Sequence, residues 1–160
     1  MRLYEDGRTS KGDPSKNASY RAYGADVLAV ADAVVQETHD KIPENVPDPI
    51  ARAVPITPET LGGNFVLLDL GDGAYAFYAH LQPGSLTVTK GDRVHEGQVL
   101  ARVGSTGNST EPHLHFHVCD GPDPLLCAGI PIRFEGIEVA NADFPRALQT
   151  GDVVIAPKAP

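Results

Sequence analysis

The chain has 160 residues, of which 41% are hydrophobic and 21% charged, a composition that suits one globular domain with a genuine core. Acidic residues outnumber basic ones by 21 to 13, and the resulting net charge of −8 argues against nucleic acid as a partner. The apolar runs are too short to cross a bilayer, so we expect no membrane span. With 16 Gly and 14 Pro, turns interrupt the chain often, which favours an all-β domain.

The first third of the chain is irregular. Residues 1–20 are polar and rich in Gly, Asp, Ser and Lys, which predicts a loop or a loosely tethered arm. Residues 26–38 are apolar and partly β-branched, and they indicate one or two buried strands, with an alanine-rich helix as the alternative. Residues 42–58 contain five prolines, so we expect them to form a surface excursion outside any sheet ladder.

The second half has the periodicity of short strands. An apolar strand is predicted at 64–70, followed by the turn Gly71-Asp72-Gly73 and a second strand at 74–81, in which apolar and aromatic residues alternate. Glycines then recur at short intervals and bound further short segments, including a strand at 98–103.

Three of the six histidines lie in the pentapeptide His113-Leu114-His115-Phe116-His117. In a strand at 113–118, period two places these histidines on one face and Leu114, Phe116 and Val118 on the other. Crowded imidazoles are costly unless they share a metal, a proton or a ligand, so the cluster favours a metal or catalytic role over a solvated polar face. Same-face neighbours are about 6.8 Å apart, so at most two of the three histidines belong to one centre.

A fourth histidine, His80, ends the strand that precedes the turn Leu81-Gln82-Pro83-Gly84. A histidine at a strand end that faces a cleft can act as a general acid or donate to an oxyanion, and a plain surface histidine is the alternative. His39 and His95 lie in polar stretches, and we assign them no role.

Several short motifs occur in a fixed order along residues 60–118. They are Gly63-Asn64-Phe65-Val66-Leu67-Leu68, Tyr78-Ala79-His80-Leu81, Lys90-Gly91-Asp92-Arg93-Val94, Gly97-Gln98-Val99-Leu100, Gly104-Ser105-Thr106-Gly107-Asn108-Ser109-Thr110 and Pro112-His113-Leu114-His115-Phe116. Together they strongly resemble the lysostaphin/LytM-type zinc endopeptidases, and residues 20–35 resemble them more loosely.

This resemblance implies a compact antiparallel β-domain of the lysostaphin-like peptidase type, placed at residues 21–140, with a C-terminal tail at 141–160. It also implies hydrolysis of peptide bonds, mostly in bacterial cell-wall peptides, so the expected partner is a peptide substrate such as peptidoglycan. Zinc is the expected cofactor. By its position in the motifs, His115 corresponds to a zinc ligand, and His80 and His113 correspond to histidines that assist catalysis. Tyr78 could add a hydroxyl group, although a packed strand tyrosine is the more common role.

One motif of the family is absent. The upstream H-x-x-x-D segment supplies a zinc-ligating His and Asp, and on this alignment both would fall before Met1. Because a four-ligand zinc site contributes about 10–16 kcal/mol, a single remaining ligand would bind zinc only near about 1 mM. Asp6, Asp13 and Asp26 are conceivable substitutes, but nothing in their spacing recommends one.

Two functional hypotheses therefore remain. The first is a zinc peptidase-type domain whose zinc site is incomplete in this chain. The second is a degenerate, non-catalytic peptidase fold that binds a peptide or a protein partner. The segment from Val88 to Leu100 also resembles biotinyl or lipoyl carrier domains, but no lysine between Lys90 and Lys158 could serve as an attachment site.

Two other features leave alternatives open. Cys119 and Cys127 are close enough in sequence for a small disulfide-closed loop, but they are equally compatible with two reduced thiols. The first residues show no charged segment followed by an apolar stretch, so no signal peptide is visible. We therefore expect a cytoplasmic protein at face value, or a periplasmic or extracellular one if the chain extends further upstream.

Overall fold

The fold is known from a computed structural model that describes residues 7–134, 138–139 and 154–155. Across these residues it consists of short antiparallel strands, and one 3₁₀ turn at Asn17–Ser19 is the only helical element. This confirms the all-β prediction. No helix in the described ranges has the length and apolar character that a membrane span requires.

The described residues form nine strands. They are β1 (Asp26–Leu28), β2 (Ala33–His39), β3 (Phe65–Gly71), β4 (Ala74–Ala79), β5 (Arg93–Val94), β6 (Val99–Arg102), β7 (His115–Cys119), β8 (Glu138–Val139) and β9 (Val154–Ile155). The main sheet has the order β5-β2-β3-β4-β7, and β1 pairs with β6 and β8 with β9 in two smaller sheets. All the pairings are antiparallel.

The β3–β4 hairpin forms as predicted, and its turn explains the local sequence. The register ends at Gly71 opposite Ala74, so two residues make the connection. Asp72 and Gly73 both have positive φ, 52° and 77°. A two-residue turn of this kind follows the right-handed twist of the flanking strands, and Asp-Gly is among the few pairs that tolerate it.

The apolar stretch at 26–38 forms two strands and no helix. Val27 in β1 and Val35 in β2 are buried, at 2% and 1% exposure, whereas Leu28 is 47% exposed. Each strand therefore contributes one face to the core, and the prediction of buried strands holds for that face alone. The β-branched valines suit this pleated, half-buried surface.

The main sheet has two apolar faces. The inner face contributes Val66, Leu68, Ala76 and Tyr78 to the principal core, which continues into the β1–β6 sheet. The outer face carries a smaller cluster of Leu67, Phe77 and Ala79, with Phe65 and Tyr75 packed against it. Since side chains alternate along a strand, each residue of β3 and β4 serves one of these two faces.

Strand β7 contributes side chains to both the inner and the outer face of the main sheet. Its Val118 is buried in the principal core, and Leu114 and Phe116 pack against that core half-buried. His115 pairs with Ala79, and His117 pairs with Phe77, so both histidines lie on the outer face. The predicted division of apolar and histidine side chains between the two faces is confirmed for this strand.

The two irregular N-terminal segments are held against the sheet domain. In the segment 42–58, the only ladder contact is an isolated bridge from Glu44 to Thr106, in agreement with the predicted surface excursion. The arm predicted at 1–20 is described from residue 7 onward. The amide of Arg21 donates to the Thr9 carbonyl at 2.9 Å, and the Asn17 side chain donates to the carbonyl of Asn45 at 2.8 Å. The predicted tail at 141–160 lies outside the described residues except for β9.

Candidate active site

A pocket of about 450 Å³ opens on the outer face of the main sheet, where β4 ends and β7 begins. Four of the six histidines of the chain line it, together with apolar side chains from the sheet and from the loop that follows β7. The lining residues are Leu61, Gly62, Phe77, Ala79, His80, Asn108, His113, His115, His117, Pro124 and Leu125.

His80 is buried beneath this pocket and is held by hydrogen bonds. It is 6% exposed and has a φ of 64°, a left-handed conformation that is uncommon for a residue with a side chain. Its amide donates to the Gly62 carbonyl at 2.9 Å, and its carbonyl accepts from the Gly104 amide at 3.1 Å. Such backbone strain persists only where the surroundings impose it, and it is concentrated at functional sites.

The surroundings of His80 also fix its tautomer. Nδ1 lies 2.8 Å from the carbonyl oxygen of Thr106, and because a carbonyl can only accept, Nδ1 carries the proton. Burial, together with the neighbouring His113, lowers the pKa of His80 from 6.5 to about 4. Near neutral pH the ring is therefore neutral, and its Nε2 is free to accept a proton or a hydrogen bond.

His113 has the same arrangement. Its Nδ1 lies 2.8 Å from the Glu111 carbonyl oxygen and 3.2 Å from the Ser109 hydroxyl oxygen. The carbonyl again places a proton on Nδ1 and leaves Nε2 free in the neutral ring. His113 precedes β7, so the strand predicted at 113–118 begins two residues late. Pro112, which has no amide to donate, and this side-chain bond to residue 111 favour a turn at that point.

His115 and His117 stand side by side on β7. The His115 Nε2 is 3.0 Å from the His117 Nδ1, so one ring donates to the other. Burial lowers the pKa of both rings, and His115 is affected further by the charges of His117 and His113. A hydrogen bond that the His117 ring donates to the Pro124 carbonyl opposes the shift in the pKa of His117. Both rings are therefore neutral near pH 7, as a metal ligand or a proton acceptor must be.

The three histidines chosen from the sequence meet in this pocket. The ring centroid of His80 is 4.8 Å from that of His113 and 5.8 Å from that of His115. His117 joins them, with its ring 5.2 Å from that of His115. The expected convergence is present, while the catalytic roles of His80 and His113 and the zinc role of His115 stay predictions.

Gly63 and Gly107 allow the loop before β3 and the loop before β7 to pack closely against each other. A Cβ added at Gly107 would overlap the backbone of Gly63, and one added at Gly63 would overlap Thr106. Both glycines also have positive φ. Through this contact the Thr106 hydroxyl accepts from the Asn64 amide at 2.9 Å, and the Thr106 carbonyl holds His80. The two glycines thus act by allowing the backbone around His80 to pack tightly.

The structure adds a residue that the sequence analysis left out. Asn45, 2% exposed, lies in the proline-rich segment and donates to the carbonyls of Gly107 and Ser109 at 2.8 and 2.9 Å. Its Oδ1 accepts from the Ala53 amide at 2.8 Å. It therefore fastens the surface segment to the loop that precedes His113. Nothing in the local pattern distinguishes it from an ordinary turn asparagine.

Three other side chains have no part in the pocket. Tyr78 is 1% exposed on the opposite face of the sheet, and its hydroxyl accepts from the Val30 amide at 3.0 Å, which agrees with the packed role. His95 is exposed and lies 3.5 Å from the Asp32 carboxylate. His39 ends β2 and stacks on Phe65 with ring centroids 5.8 Å apart, which places it outside the histidine cluster.

Cys119 and Cys127 form a disulfide with a Cα–Cα distance of 5.7 Å. The sequence left this pairing open. The bridge closes the loop that supplies Pro124 and Leu125 to the pocket wall.

The residues around the pocket fit only part of the donor set that zinc takes in the resembled family. No carboxylate of the described residues lines the pocket. The Asp13 carboxylate accepts a hydrogen bond from the Ser15 hydroxyl. Asp26 lies 3.8 Å from Arg102 in the small β1–β6 sheet, so neither carboxylate reaches the histidines. Asp6 lies outside the described residues. His80, His113 and His115 thus supply imidazole alone.

Comparison with known proteins identifies the family of this chain. The model of Peptidase family M23 matches residues 18–125, which is more than half of the chain. The chain belongs to this family. The resemblance read from the motifs is confirmed, and the match begins near the end of the arm and includes all four pocket histidines.

Curated relatives match over shorter stretches. The glycyl-glycine endopeptidase ALE-1 of Staphylococcus capitis is 48% identical over 56 residues, which cover 34% of this chain and 15% of that protein. The DD-carboxypeptidase/endopeptidase Mpg of Neisseria meningitidis is 32% identical over 95 residues, which cover 59% of this chain and 21% of that protein. The chain thus matches about a fifth or less of the length of these relatives.

Solved structures with similarity to this chain include two peptidases. The catalytic domain of lysostaphin from Staphylococcus simulans is 25% identical, with a TM-score of 0.48, and the match covers 71% of this chain and 77% of that one. A zinc-containing peptidase from Vibrio cholerae is 29% identical, with a TM-score of 0.44, over 60% of this chain and 24% of that one.

Proposed function

We propose that this chain is a zinc metalloendopeptidase-type domain that acts on peptide bonds of bacterial cell-wall peptides, with a zinc site that these residues fill only in part. His115 is the zinc ligand that this stretch supplies, and His80 and His113 are the catalytic imidazoles. The observation that carries the proposal is the meeting of these three rings in one pocket, two of them anchored through Nδ1 to backbone carbonyls.

The fixed tautomers give the two catalytic histidines a definite chemistry. A neutral His80 or His113 presents an unprotonated Nε2, so it accepts a proton from the attacking water as a general base. Once protonated, the same nitrogen donates to the developing oxyanion or to the leaving amine. Zinc, when bound, lowers the pKa of a coordinated water and polarises the scissile carbonyl. Phe77, Ala79 and Leu125 form the apolar part of the pocket wall beside these groups.

The proposal is tested by restoring the missing ligands. A longer chain with an H-x-x-x-D segment ahead of residue 1 should bind one zinc and cleave glycine-rich or cell-wall peptides. In that chain, His115→Ala should abolish both properties. His80→Asn should keep the zinc but lower kcat by about 10²- to 10⁴-fold, as expected for loss of a general base. His95→Ala is the matched control and should leave both unchanged. Loss of zinc in His80→Asn, or full activity in His115→Ala, would contradict the assigned roles.

A second candidate is a non-catalytic module that binds a peptide or a protein partner in the same pocket. It is favoured by the absence of a carboxylate among the described lining residues. The two candidates differ in one experiment on the lengthened chain with zinc present. Chemical-shift changes at the pocket histidines on adding a cell-wall peptide, with the peptide recovered intact, would support the binding module and exclude the peptidase.

A further inference from the structure

The end of the pocket next to the disulfide holds a second group of potential metal ligands. The ligand atoms of His117, Cys119 and Cys127 all lie within 4.8 Å of one another, the only such group of three His, Cys, Asp or Glu residues found among the described residues. Period two places His117 and Cys119 on the same face of β7, and the loop after β7 returns Cys127 to them. None of the three belongs to the His80–His113–His115 set.

The loop is held in place by hydrogen bonds that do not depend on the disulfide. The Asp120 amide donates to the Ala128 carbonyl at 3.1 Å, and the Ala128 amide donates to the Asp120 carboxylate at 2.7 Å. On either side of this pair, the Ile130 amide bonds the Val118 carbonyl at 2.8 Å and the Cys127 amide bonds the Asp123 carbonyl at 3.0 Å. Opening the S–S bond would therefore leave both thiols near His117.

We propose that the reduced form of this chain binds a zinc ion through His117, Cys119 and Cys127, and that the disulfide abolishes this site. Two thiolates and an imidazole are ligands that Zn²⁺ favours, and sites with two cysteines and one histidine keep a fourth position open for water. The cluster is accessible to an ion, because His117 lines the pocket and Cys127 is half-buried. Metal binding is thus coupled to the redox state of the loop.

Reduction of the disulfide supplies the two thiols. A water-soluble phosphine attacks the disulfide, and after hydrolysis the phosphorus carries the oxygen of one water as the phosphine oxide. The two sulfurs take the electron pair and the two protons of that water as thiols. Zinc binding then displaces these two protons to solvent. In the oxidised chain the sulfurs are bonded to each other, so they provide no thiolate ligand.

Cobalt(II) is a suitable probe, since its thiolate complexes absorb strongly in the near ultraviolet. The 160-residue chain is reduced with a phosphine, desalted without oxygen and titrated with Co²⁺. We expect a saturable charge-transfer band at one Co²⁺ per chain that Zn²⁺ displaces, and no such band in the oxidised chain. A reduced chain without a thiolate band would overturn the proposal.

Substitutions identify the ligands. His117→Ala retains both cysteines, so its oxidised form keeps the native bridge and its fold can be checked before reduction. We expect Co²⁺ binding to weaken on the order of a hundredfold in this variant and in Cys127→Ser. His95→Ala, a change at an exposed histidine elsewhere, should bind as the unmodified chain does. Unchanged binding in His117→Ala, or loss of the band in His95→Ala, would contradict the proposed ligand set without bearing on the peptidase proposal.

Discussion

The buried neutral ring of His80 makes the stability of the domain depend on pH. Folding lowers the pKa of this residue from 6.5 to about 4, chiefly because burial disfavours the charged ring and His113 repels it. Between these values the unfolded chain holds a proton at residue 80 that the folded chain lacks, so the free energy of unfolding rises with pH. The contribution is fully present above about pH 6.5 and is lost as the pH falls towards about 4. At about 1.4 kcal/mol per pKa unit, the loss amounts to about 3 kcal/mol.

His80→Asn isolates this effect. Asparagine tolerates the left-handed backbone, and its side-chain amide can donate to the Thr106 carbonyl as Nδ1 does, but it does not titrate. Guanidinium unfolding, followed by circular dichroism in the presence of a chelator, measures stability from about pH 8 to about pH 4. We expect the difference between the unmodified chain and this variant to change by about 3 kcal/mol across the range.

The control is His95→Asn, at an exposed histidine, whose stability curve should run parallel to that of the unmodified chain. Apart from Asp32, whose pKa the neighbouring His95 helps to lower, the carboxylates keep the same surroundings in all three proteins, so the differences cancel their effect. A difference between the unmodified chain and His80→Asn that stays constant with pH would refute the view that His80 is a buried, neutral ring held by Thr106.

Two stability predictions follow from the packing. Gly107→Ala should cost more than about 2 kcal/mol because its Cβ overlaps the Gly63 backbone, whereas Gly84→Ala, with a similar φ (69° against 66°) and open space, should cost only about 1 kcal/mol. Equal costs in urea unfolding would mean that the close approach is not tight. Tyr78→Phe should cost about 1–3 kcal/mol because the Val30 amide loses its acceptor, and an unchanged unfolding midpoint would show that water replaces the hydroxyl.

The parts of the fold that the sequence predicted are those set by local rules. The β3–β4 hairpin follows from period-two alternation and from an Asp-Gly turn that only a few residue pairs allow. The same alternation divides β7 into a histidine face and a core face. These features need no knowledge of distant contacts, and for that reason they could be predicted from one sequence.

The missed features depend on contacts between segments far apart in the chain. Asn45 reaches carbonyls more than sixty positions away, and its own neighbourhood is that of a turn. The left-handed backbone of His80 is imposed by Gly62 and Gly104, which the strand pattern around it does not reveal. Whether Cys119 and Cys127 form a disulfide depends on whether the loop between them brings the two side chains together, and their spacing in the sequence does not decide this.

The absence of carboxylate ligands bears most directly on function. The motif match leaves two zinc ligands unassigned, and the described residues offer no carboxylate near His115. A single imidazole is worth about a quarter of a four-ligand site, which corresponds to binding near about 1 mM. The chain alone should therefore hold zinc only weakly while its disulfide is intact.

The most direct test of the account is the zinc content of the oxidised 160-residue chain, measured by atomic absorption after equilibration with excess zinc and desalting. We predict well under one equivalent, with no cleavage of glycine-rich or cell-wall peptides. One tightly bound zinc per chain that is lost in His115→Ala would contradict the account, because it would mean that other residues of this chain complete a tight zinc site around His115.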